Sequence, residues 1–97
     1  MHKLTVIYPA GDGVTFDMAY YRTTHKDICF KSLDGLERME IDQGLPGQPY
    51  LAVAHLYFPS LEALQTGLGS PNAGDGAVDV PNFTNATPMM QISEVVD

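Results

Sequence analysis

The chain has a single cysteine, no tryptophan and only five basic residues among its 97. Cys29 has no partner for an internal disulfide, and one unpaired thiol fits a reducing compartment. A cysteine-rich zinc site is excluded on the same count. Lys3, Arg22, Lys26, Lys31 and Arg38 are scattered, and the net charge is -7. Nucleic acids and anionic membranes both need clustered cations, so neither is an expected partner. The three histidines, His2, His25 and His55, occupy separate segments and show no His-x-x-x-His spacing, so no metal site is expected. No Gly-x-Gly-x-x-Gly, phosphate loop or Gly-x-Ser-x-Gly occurs, and no cofactor is expected. Gly67-Leu68-Gly69-Ser70 follows a helical pattern instead of opening one, which makes it a C-cap. Apolar runs are short. The one near Leu4–Tyr8 is too brief for a signal peptide and none approaches transmembrane length, so the expected location is cytoplasmic.

Hydrophobic residues make up 44% of the chain and charged ones 18%. A single domain over residues 1–97 buries only ~60–65% of its unfolded surface, leaving apolar area that one small core cannot hide. Self-association is the usual way to cover it.

Leu4–Tyr8 is rich in β-branched and aromatic residues and stops at Pro9, which reads as a strand; Ala10–Gly13 then turns. Thr15 is placed to cap a helix running from Phe16 to about Leu33, with Asp17 near its positive end. At 100° per residue Met18, Tyr21, His25, Ile28 and Cys29 share one face, so a histidine lies in the middle of an apolar stripe. Leu36–Ile41 alternates as a strand and Gln43–Pro49 is a loop of helix and strand breakers. Tyr50–Phe58 carries no charge, which predicts a strand buried on both faces. Ser60 caps a second helix over Leu61–Leu68, with Glu62 in its first turn. Ser70–Asn85 is rich in Gly, Pro and Asn, with one helical turn near Val78. Met89–Val95 reads as the last strand.

The order β-α-β-β-α-β is the ferredoxin-like arrangement: an α+β domain with a four-stranded antiparallel sheet and two helices on one face. The uncharged third strand needs cover on the other face, and a second copy of the sheet is the simplest one. This predicts a homodimer.

Three stretches resemble the EthD family, named after a protein associated with degradation of ethyl tert-butyl ether. The first is Tyr8-Pro9-Ala10-Gly11 followed by Phe16-Asp17, Tyr20-Tyr21 and Thr24-His25. Asp27-Ile28 stands where that family commonly has Pro-Leu, a departure that alters how the helix packs. The second is Leu36 to Met39. The third and most specific is Asp79-Val80-Pro81-Asn82-Phe83-Thr84-Asn85-Ala86-Thr87-Pro88, then Gln91–Val95. The resemblance implies a dimeric α+β barrel with a pocket between sheet and helices. It also implies kinship with muconolactone isomerases, small polyketide cyclases, cofactor-free monooxygenases and haem-binding relatives. Fold does not settle function.

His25 is the leading catalytic candidate, because an imidazole can take or give a proton near neutral pH. Tyr21, one turn earlier on the same face, is placed to orient it or to hold a substrate oxygen. Tyr8, His55 and Met18 are the candidate ligand-binding residues: Tyr8 ends a strand beside the Gly-rich turn, His55 is a mid-strand polar group that either faces the pocket with His25 or lies at the dimer interface, and Met18 is a flexible wall. The competing reading of His25 is a structural imidazole bonded to a backbone carbonyl. Cys29 on the buried face reads as a small hydrophobe. The expectation is cofactor-free proton transfer on a hydrophobic or aromatic intermediate, by isomerisation, cyclisation or dehydration. The alternatives are a non-catalytic accessory or ligand-binding protein, and a haem or redox enzyme with His25 as axial ligand.

Overall fold

A computed structural model describes residues 1–97. Four strands, β1 (His2–Pro9), β2 (Arg38–Gln43), β3 (Tyr50–Phe58) and β4 (Met89–Glu94), form one antiparallel sheet in the order β2-β3-β1-β4. This is the ferredoxin-like α+β arrangement expected from the element order. Side chains alternate across the pleat, so each strand has a helix side and an open side. On the helix side Leu4, Val6, Tyr8, Met39, Ala52, Ala54, Leu56 and Phe58 are all buried.

The open side is the face for which a second copy is the expected cover. Leu51, Val53, His55 and Tyr57 of β3 are half-buried there in the single chain. Register sets Val53, Ile7 and Met89 in one apolar row across that open side. A second row brings polar groups together, with Glu40 opposite His55 and His55 opposite Thr5.

The first helical region is α1 (Met18–Tyr20), a π-helical turn Tyr21–His25 and α2 (Lys26–Ser32), which follow one another without a break. Asp17, not Thr15, is the N-cap: its carboxylate accepts from the Tyr20 backbone N–H at 3.0 Å. Thr15 is committed elsewhere. Its N–H donates to Asn85 Oδ1 and its carbonyl accepts from Thr84 Oγ1, tying the start of this region to the segment before β4. Tyr21, His25, Cys29 and Ser32 are the buried positions, so the expected stripe holds at its centre. Met18 and Ile28, at its margins, are half-buried.

Ser60 caps α3 (Leu61–Leu68) as expected, accepting from Ala63 N–H at 3.1 Å. Leu64 and Gly67 are its buried residues. The helical turn expected near Val78 is α4 (Asp75–Asp79), continued by a 3₁₀ turn Val80–Asn82. No helix of the chain is long and apolar enough to cross a membrane.

Candidate active site

Between the helix side of the sheet and the helices lies a cavity of about 640 Å³. That is ample for a mid-sized metabolite, since ligand pockets run ~300–1,000 Å³. Leu4, Val6, Leu56 and Met39 form its floor, and the small residues Ala73, Gly74, Gly76 and Ala77 form part of its wall. Of 19 lining residues 13 are hydrophobic, and none is Lys or Arg.

His25, Tyr21 and Tyr8 all line this cavity. The π-helical turn holds the first two in a stack, with ring centroids 4.9 Å apart and planes 14° from parallel. Phe83 presses edge-on against His25 at 4.6 Å, and Tyr8 packs edge-on against Tyr21 at 5.3 Å. Such aromatic contacts contribute ~0.5–1.5 kcal/mol each beyond area burial, enough to fix the imidazole plane.

Sequence reading missed the residue that defines the site. Asp79, 6% exposed, places Oδ2 2.8 Å from His25 Nδ1. Its Oδ1 accepts from the Tyr20 hydroxyl at 2.6 Å and from Asn82 Nδ2 at 2.9 Å. Burial pushes the Asp79 carboxyl up, but the donors Tyr20, Asn82 and His25 outweigh it and hold the group below the ordinary 3.8. Being anionic, Asp79 can only accept, so the proton between the two residues sits on His25 Nδ1. Nε2 is left as an acceptor in the cavity wall. Burial lowers the His25 pKa from 6.5, partly offset by Asp79, which keeps the ring neutral at pH 7. A neutral imidazole with a free Nε2 and an anion behind it is a general base.

The alternative of an imidazole tied to a backbone carbonyl does not occur, because its bonded partner is a carboxylate. In the sequence Asp79 stands out only as part of the EthD-like segment. The usable signal was Asp79-Val80-Pro81-Asn82, an acid and an amide three apart on a turn, a spacing that lets Asn82 reach back to it.

Two expected ligand-binding residues are elsewhere. His55 lies on the open side of the sheet, since alternation along β3 puts it opposite to Ala54 and Leu56. There Nδ1 accepts from Lys3 Nζ at 3.2 Å and Nε2 donates to Asp42 Oδ2 at 3.2 Å. It neither pairs with His25 nor lines the cavity. Met18 packs at the margin of the core, one turn before the cavity begins, and does not line it either.

Cys29 lines the cavity with its thiol pushed up by burial to about 11, so it stays protonated and unreactive. No three His, Cys, Asp or Glu side chains converge into a group that could hold a metal ion.

No family model matches the chain and no curated protein matches it. Solved structures do. An EthD-like protein from Ralstonia eutropha JMP134 superposes with TM-score 0.84 and 27% identity, covering 99% of this chain and 92% of that one. An EthD family protein from Bacillus halodurans C-125 gives TM-score 0.76 and 20% identity, with 99% of each chain covered. A dimeric protein of unknown function and ferredoxin-like fold from Bacteroides fragilis NCTC 9343 gives 0.58 and 10%, covering 97% of this chain and 95% of that one. The chain is thus EthD-like over its length, and the resemblance read from its motifs is matched by its architecture.

Proposed function

We propose that this EthD-like chain is a small enzyme that moves a proton on a hydrophobic, oxygen-bearing metabolite without a cofactor. His25 is the base and Tyr21 holds it in plane. The observation that carries this reading is the His25 Nδ1–Asp79 bond of 2.8 Å beside an apolar cavity of about 640 Å³. A carboxylate behind the imidazole stabilises the imidazolium formed when Nε2 takes a proton, without competing for that proton. Isomerisation, cyclisation and dehydration each need only such a base and a bound oxygen.

The alternative is a non-catalytic protein that binds or delivers a hydrophobic ligand. A carrier has no use for a buried anion, whose desolvation is costly, fixed behind a neutral histidine. The dyad therefore favours catalysis.

The open side of the sheet supports a homodimer. Leu51, Val53, Ile7 and Met89 form an apolar patch there, and a second copy would cover it with the same residues. The Bacteroides fragilis protein of like fold is described as dimeric.

The test uses a carbon acid of suitable size. Incubated in D₂O with 2-acetylnaphthalene, the protein should exchange the acetyl hydrogens for deuterium, followed by mass spectrometry. His25→Ala should slow this exchange about 100-fold or more. Exchange equal to that of buffer, or unaffected by His25→Ala, overturns the reading.

A further inference from the structure

Resting on that reading, we infer that the cavity selects uncharged carbonyl compounds, and that the Tyr8 hydroxyl holds the oxygen on which negative charge builds during proton removal.

The first support is the placement of charge. None of the five cations reaches the cavity wall. Lys3 is bonded to His55 on the open side of the sheet, Arg38 lies over the Tyr57 ring at 4.2 Å, and Lys31 pairs with Asp27 on the surface. The charge behind His25 is negative, on Asp79, and the whole chain carries -7. A carboxylate or phosphate entering this space would lose its hydration, find no cation, and face an anion behind His25. An uncharged molecule meets none of these penalties.

The second support is Tyr8. It ends β1 within the cavity wall and is 2% exposed. Burial pushes its hydroxyl up to about 12, so it is a hydrogen-bond donor at any physiological pH. Tyr21 packs edge-on against the Tyr8 ring, with centroids 5.3 Å apart, and steadies it. The proton of the Tyr8 hydroxyl finds no protein acceptor. It is not a sealed orphan, because the one buried side-chain polar atom without any partner is His2 Nδ1. An O–H open to an apolar cavity that His25 also lines awaits an acceptor from a ligand.

The step balances within the site. Nε2 of His25 takes the hydrogen from the carbon beside a C=O. The C–H electron pair becomes a C=C bond, and the carbonyl pair moves onto oxygen, where the Tyr8 O–H stabilises it. The imidazolium then returns the proton to another carbon, giving an isomer, or the enolate carbon attacks a second carbonyl of the same molecule, giving a ring.

Three probes of one shape separate the contributions: 2-acetylnaphthalene, 2-naphthoate and 2-isopropylnaphthalene, with binding followed by NMR shifts of the cavity residues. The wild-type chain should bind the ketone at least about thirtyfold more tightly than the carboxylate. Tyr8→Phe, close to isosteric, should weaken the ketone about tenfold and leave the hydrocarbon within about twofold. Carboxylate binding as tight as the ketone overturns the selectivity, and this arm needs no variant. An equal loss for ketone and hydrocarbon in Tyr8→Phe would reduce Tyr8 to packing and overturn its role. Either failure alongside His25-dependent deuterium exchange sinks this inference alone; the expected binding pattern without any exchange sinks the catalytic reading and keeps the selectivity.

Discussion

Tyr21 and His25 stack face to face, with ring planes 14° from parallel, across a single π-helical turn. A π turn widens the helix and is often found where function needs a side chain re-aimed. Here it keeps the imidazole in one plane with Nδ1 on Asp79. The base is oriented from both ends, by stacking and by a hydrogen bond.

Asp79→Asn replaces the anion with a group that can itself donate. The amide NH₂ would then face Nδ1, favouring the tautomer with the proton on Nε2, where it blocks base catalysis. We expect deuterium exchange into 2-acetylnaphthalene to fall about 100-fold while the fold survives. Exchange kinetics with circular dichroism as control measure this, and an unaltered rate would remove Asp79 from the mechanism.

Acid should weaken both activity and stability. Burial holds His25 below its ordinary 6.5, so beneath that pH the unfolded chain binds more protons than the folded one. The contribution of this residue is full above about pH 6.5 and is lost progressively below it. Asp79, held below 3.8, adds a loss of the same sign as pH falls through its folded value. The acid limb of the exchange rate should have its midpoint below pH 6.5. A midpoint at or above that value would contradict the burial effect.

Tyr20→Phe deletes the shortest bond to Asp79, 2.6 Å. Stability should drop in denaturant titration, because Asp79 loses a donor. Asp79 becomes less stabilised as an anion and so holds the His25 proton more tightly, moving the acid limb upward. If Tyr20 served only to pack, stability would change and the limb would stay where it is.

Gly67 lets α3 lie directly on the sheet. A Cβ there would stand 2.6 Å from the Asp34 carbonyl oxygen and 2.8 Å from Phe58 Cε2. Backbone oxygen cannot swing aside, so Gly67→Ala should destabilise by more than ~2 kcal/mol despite its better helix propensity. A thermal melt reads this directly, and a stabilised variant would show the contact to be looser.

Ile7→Glu puts a carboxylate into the apolar row with Val53 and Met89. If that side joins two copies, sedimentation should shift from dimer to monomer with the cavity unaffected. A dimer that persists would place the interface elsewhere.

The sequence by itself determined the elements and the family likeness. Local rules suffice for these: β-branched runs bounded by Pro and Gly for β1 and β3, Ser60 as the cap of α3, and helical spacing that put Tyr21, His25 and Cys29 on one face. The likeness was legible because Tyr8 to His25 and Asp79 to Pro88 carry their motifs as contiguous text.

Tertiary structure alone decided what those residues meet. Asp79 is 54 positions from His25 in the chain, and no period links a helix to a distant turn. From its segment alone His55 fits either the cavity or the dimer face; strand alternation, which is set by pairing register, turns it to the open side with Lys3 and Asp42. The helix starts at Met18, which makes Asp17 the cap, while the backbone of Thr15 is bonded to Thr84 and Asn85 from across the fold. Residue type and spacing fix what a segment can form; proximity between segments is a property of the packed chain, and that is where a neutral histidine acquired its carboxylate.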